Sequence, residues 1–197
     1  AIFSEDHLRK TAVLTRSSQY GRKPLLWAKL FTGLSFSVGS TLLMYPFFLV
    51  PVFVIYGTDG FQAQLQLFQP SDVWLLTAGE LLLILVGLSL LTALLHGAAA
   101  MVLGERLKSN MTPMAVMVGF LLFSLLFNVP EQYRILSQIW DYLPANLLAY
   151  WGAFNDCLVF IAGHYLCEWQ VAPVAYFAAI AGLIWTCCHF YRKYQAE

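Results

Sequence analysis

Residues 73–103 read VWLLTAGELLLILVGLSLLTALLHGAAAMVL. The stretch contains one acid, Glu80, one histidine, His96, and no Lys or Arg. A helix needs about 20 predominantly apolar residues to cross about 30 Å of hydrocarbon, and this run exceeds that. Its apolar residues follow one another without the strict alternation of a barrel strand, so the run reads as a helix.

Three further runs of the same kind lie on either side. They cover 27–56, broken by Pro46 and Pro51, then 111–127 and 171–190. The first is longer than a span requires, and its two prolines predict a kink or an interfacial end section. The third is the shortest, with Pro113 placed for a first helical turn. Hydrophobic residues make up 59% of the chain and charged residues 11%. A soluble domain averages about 25% charged, so these charges would not cover a soluble surface. The expected fold is all-α: one transmembrane domain over 1–197 with about four transmembrane helices.

The charges fall between the runs and predict orientation. Arg9, Lys10, Arg16, Arg22 and Lys23 precede the first run, with Lys29 at its edge. Arg106 and Lys108 follow the second, and Arg192 and Lys193 follow the fourth. The two remaining loops hold Arg134 against Asp59, Asp72, Glu131, Asp141, Asp156 and Glu168. The positive-inside rule then puts both termini and the short middle loop in the cytoplasm of a multi-pass inner or plasma membrane protein. An even number of spans requires the same. No cleavable signal peptide is expected, because the apolar segments are too long and the first follows a basic stretch. The first span would serve as its own insertion signal.

The long loop 128–170 is not very polar. Ile135, Leu136, Ile139, Trp140, Leu143, Leu147, Leu148 and Trp151 recur at mostly three- and four-residue spacing, which predicts an amphipathic helix interrupted near Pro144. Cys157 and Cys167 share this loop, and an oxidising compartment would allow them to pair. A metal site from Cys157, His164 and Cys167 matches no familiar zinc spacing. Cys187 and Cys188 read as packing residues of the last span.

Before the first span, Leu8, Ala12 and Val13 lie among charges, Gly21 suits a helix stop and Lys23-Pro24 a new start. One reading is a short basic helix lying on anionic headgroups. A second comes from resemblance. Glu5, Thr11-Ala-Val-Leu14, Ser17-Ser-Gln-Tyr-Gly-Arg-Lys23 and Ala28-Lys29 resemble the first cytoplasmic loop of type-2 ATP-binding-cassette (ABC-2) exporter permeases. The Tyr56-Gly-Thr-Asp-Gly60 turn, Leu143-Pro-Ala-Asn146 and the tail Phe190-Tyr-Arg-Lys-Tyr194 are similar more loosely.

The resemblance implies a coupling segment over 1–26 that docks on a cytoplasmic ATP-binding-cassette ATPase through Glu5, Thr11, Leu14, Arg16, Tyr20, Gly21, Arg22 and Lys23. It implies that the chain carries spans three to six of a six-span permease, as an excerpt of a longer protein. It implies a second permease domain, identical or not, and a pair of short re-entrant helices in the outer loop, where the pattern alone equally fits an ordinary interfacial helix. No cofactor is implied for this chain, since ATP would be bound by the partner.

Ionisable residues inside spans are costly and point first to function. Glu80 and His96 are candidates for a transport path or for intramembrane polar contacts. Sixteen residues apart, they lie about 24 Å from each other on nearly opposite helix faces, so they do not share a site. Glu80 would line a permease interface or bond to Thr or backbone partners, and His96 a neighbouring helix. Gly97-Ala-Ala-Ala100 forms a small-residue face suited to close helix approach. No catalytic residue and no metal site is assigned. The chain has no Walker-type phosphate loop, no His-Glu-x-x-His and no Gly-x-Ser-x-Gly, and its basic residues are accounted for by membrane orientation rather than nucleic acid. The competing function is a non-transport polytopic protein: an intramembrane enzyme, or a sensor or assembly subunit.

Overall fold

The computed structural model describes residues 23–67, 74–130, 132–148, 159–161 and 163–193. The coupling segment residues Glu5, Thr11, Leu14, Arg16, Tyr20, Gly21 and Arg22, and also Cys157, lie outside the described residues. Four apolar helices dominate. They are α1 (Lys23–Tyr56), α2 (Ala78–Leu107), α3 (Met111–Leu126) and, after two short helices, α6 (Glu168–Lys193). Three of them, α1, α2 and α6, are long and apolar enough to cross a membrane, while α3 is a shorter apolar helix of 16 residues.

The helix ends follow local chemistry. α1 opens at Lys23-Pro24 and continues through Pro46 and Pro51 as one helix. It stops at Gly57, whose φ of 75° only glycine adopts without strain and whose N–H reaches the Phe53 carbonyl at 2.9 Å. α2 begins five residues later than the apolar run. Thr77 and Glu80 form a reciprocal capping box there, which satisfies the first orphan amides and defines the start. Its end is closed by Lys108 in the left-handed region, with φ 53° and a bond from its N–H to the Gly104 carbonyl.

α2 is central. It runs antiparallel to α1 on one side and parallel to α6 on the other. Leu26 and Leu30 of α1 meet Met101 of α2 and Cys187 and Tyr191 of α6 at one end. Leu88 of α2 meets Ala172 and Tyr176 of α6 towards the other. The α1–α2 contact is close because it uses small residues: a side chain added at Gly97 would collide with the Ser37 hydroxyl, and one at Gly33 would lie 2.6 Å from the Met101 sulfur. The Gly97–Ala100 face thus meets α1 at Gly97.

The segment after α3 is partly as expected. α4 (Arg134–Asp141) and α5 (Pro144–Leu147) form the interrupted helix, with Pro144 at the first position of the second piece. Trp140 ties α4 to the end of α3, its indole N–H donating to the Phe127 carbonyl at 3.1 Å. Ile135, Leu136 and Ile139 remain exposed. The loop also contains an antiparallel hairpin, β1 (Val159–Ile161) and β2 (His164–Leu166), turning at Gly163 with φ 89°. It departs from an all-helical expectation. Its cause is a short β-branched and aromatic stretch on either side of a glycine turn.

Candidate functional site

The first site is the end of the bundle where α1 begins and α2 and α6 finish. The first two turns of α1 are packed into this end. Leu26 and Leu30 are buried against Met101, Cys187 and Tyr191, with Leu34, Val102, Ile184 and Cys188 around them. Two charged residues are buried at the same level: Lys29 is 9% exposed and Glu105 4%. Long charged side chains are almost never buried unless paired, and neither of these lacks a partner. Arg106, one residue on, lies 5.7 Å over the Phe190 ring. Three helices therefore share one junction at the start of α1. Lys23 is the first residue of that helix.

The two intramembrane candidates are placed apart. Glu80 is on the exposed rim at the far end. Its carboxylate accepts from the Thr77 backbone N–H at 2.9 Å and from the Thr77 hydroxyl at 3.1 Å. Its bonds are thus to Thr and backbone groups, as one of the two sequence readings had it. His96 sits about four and a half turns deeper, its Nδ1 2.8 Å from the Thr92 carbonyl of its own helix. This contact is within its own helix rather than with a neighbouring one, because an i−4 carbonyl lies within reach of a histidine ring. The structure does not bring Glu80 and His96 together.

Between these levels α1 and α2 share hydroxyls. Tyr45 donates across the interface to Ser89, which in turn donates to the Val86 carbonyl at 2.8 Å. Beside Tyr45 an open groove of about 480 Å³ runs along α1, lined by Ser40, Thr41, Met44, Phe48 and Leu49. Its walls are one helix, and it is open on the side away from α2.

No family model, curated protein or solved structure matches this chain. Assignment of function therefore rests on the residues themselves.

A second polar corner was not singled out by the sequence. Glu168, at the head of α6, is fully buried, and neither carboxylate oxygen has a hydrogen-bond partner. The first turn of α6 is capped by other groups. The Gln170 side chain accepts from the Cys167 N–H at 3.2 Å, and the Gln170 and Val171 amides donate to the Cys167 carbonyl. Glu168 is surrounded by Cys167, Asp141 and Tyr142. The Tyr142 hydroxyl is also buried and unpaired. Burial, and after it Glu168 and Cys167, push the Tyr142 phenol up to about 12, so it stays protonated. A helix N-terminus stabilises an anion by about 0.3–2 kcal/mol. Enclosing an unpaired carboxylate costs several kcal/mol, so enclosure outweighs the dipole. In the sequence Glu168 is one of six loop acids that set orientation, and no spacing marks it out. Among the described residues no group of three or more His, Cys, Asp or Glu is placed to hold a metal. Cys167 is a buried thiol that forms no disulfide among the described residues.

Proposed function

We propose that this chain is the membrane permease part of an exporter driven by a separate cytoplasmic ATP-binding-cassette ATPase. The observation that carries the reading is the continuity between residues 3–29, which resemble an exporter coupling loop, and the three-helix junction at Leu26, Lys29 and Leu30. A coupling segment must hand displacement to the spans, and this one would enter a junction shared by α1, α2 and α6 with almost no intervening chain. In this reading the chain crosses the cell membrane four times, with α3 as the short span and both termini cytoplasmic. The α4–α5 segment and the hairpin lie outside.

The exposed apolar surface of α1, including Phe36, Leu43, Phe47 and Val54, would face lipid or a second permease domain. Glu80 and His96 take structural rather than substrate-contacting roles. Glu5, Thr11, Leu14, Arg16, Tyr20, Gly21, Arg22 and Lys23 would contact the ATPase. The alternative of a non-transport protein needs polar groups converging from different spans. Tyr45 and Ser89 are such a pair, and they bond to each other.

The test is copurification of the tagged chain with a cytoplasmic nucleotide-binding protein from its native membrane. Scrambling Thr11 to Lys23 is expected to abolish the association while the chain still inserts. Association that survives the scramble overturns the coupling reading.

A further inference from the structure

We propose that Glu168 is a proton-binding latch: its neutral carboxyl keeps the α4–α5 corner closed over the head of α6, and ionisation opens it. The inference stands apart from the permease reading and needs only the packing at this corner.

The closed corner is well defined. Leu147 of α5 and Ala172 of α6 are fully buried against each other's cluster, with Leu88 and Tyr176. Tyr176 donates to the Tyr142 carbonyl at 2.8 Å, and Trp74 stacks edge-on against Trp169 with ring centroids 5.6 Å apart. These contacts pack the α4–α5 corner against the head of α6, where Glu168 is buried. A buried structural acid is normally matched by a base or by several donors. Among the described residues both oxygens lack a hydrogen-bond partner.

Among the described residues, the ionisable groups facing Glu168 supply no positive charge. From the α4–α5 corner come Asp141 and Tyr142, and on its own element Cys167 and Tyr176. α2 faces the corner with Leu88 and Thr92, while its Glu80 is engaged by Thr77 on the exposed rim. Asp141 adds a like charge, which further disfavours a second anion. Only the neutral acid fits the closed corner. When the proton leaves, the charge must reach water, and the described corner beside it is the one that carries Asp141 and Tyr142.

Cys167 reports the state of the latch. Its thiol is 2% exposed and adjacent to Glu168. Unsealed native membrane vesicles are treated with a maleimide over about pH 5 to 9, a window above the ordinary glutamate value of about 4.3. Modification at Cys167 is read by mass spectrometry and expressed relative to Glu168→Gln at each pH, which cancels the ordinary reactivity of the thiol. The ratio is expected to rise about tenfold or more across the window, one tenfold step for each unit by which ionisation is resisted. An ionised neighbour slows thiolate formation, so a rising ratio reports opening and not thiol chemistry.

A flat ratio overturns the proposal. So does a Gln variant that is labelled rapidly at every pH, which would mean that the carboxylate is needed as an anion, holding a cation. Asp141→Asn provides an arm independent of that variant. Removing the neighbouring charge is expected to move the midpoint of wild-type labelling to lower pH, and an unchanged midpoint also overturns the latch.

Discussion

The phenol of Tyr176 on α6 donates to the backbone carbonyl of Tyr142 at 2.8 Å, joining residues 34 positions apart in the chain. The bond pins the turn between α4 and α5 to the last apolar helix. Tyr176→Phe keeps the ring in its buried site and removes only the donor. A net loss of about 1 kcal/mol is expected, read as earlier thermal unfolding of the purified chain. Proteolysis within 141–148 should become faster before the rest of the chain is cut.

Gly97 lies where α2 passes closest to Ser37 of α1. Gly97→Ala forces the Ser37 hydroxyl aside, and overpacking of this kind costs about 1–3 kcal/mol. Ser37→Ala in the same chain removes the colliding oxygen and should return part of that loss. A double-mutant cycle is the measurement. Strict additivity of the two changes would contradict the contact.

Glu80→Ala removes half of the capping box at the start of α2. The expected effect is a local loosening of the helix start, concentrated in the first turn. Hydrogen exchange should accelerate at the amides of 78–81 and stay unchanged around His96. Equal acceleration along α2 would assign Glu80 a wider role.

Tyr45→Phe breaks the hydroxyl bridge to Ser89, which keeps its own bond to the Val86 carbonyl. Bonds between helices in bilayers contribute about 0.6 kcal/mol on average and at most about 1.7. A small loss of stability is expected in lipid, without loss of the α1–α2 pairing followed by cysteine crosslinking.

Much of the helical framework was legible. The apolar runs gave away α1, α2, α3 and α6, since long sequences without charge have few other uses. Their limits were less so. The run from Val73 looked continuous, yet Thr77 and Glu80 start the helix later because two residues satisfy each other's backbone. Pro46 and Pro51 looked like a break and stand within one helix. The hairpin at Gly163 was hidden, because three-residue strands carry no period. The spacing that separated Glu80 from His96 held, since α2 is unbroken between them. Glu168 was invisible as a special residue. Its burial comes from tertiary packing at the head of α6, and no local pattern records that.

The shortness of α3 has a consequence for the lipid around it. Sixteen residues rise only about 24 Å, less than the roughly 30 Å of a common hydrocarbon core. In the proposed four-span arrangement, the bilayer would be drawn thinner beside α3 than beside α1, whose 34 residues overreach it. One flank would compress the acyl chains and the other stretch them. The proposed permease would then sit in a thickness gradient of its own making, and bilayers of shorter acyl chains would relieve the thin side.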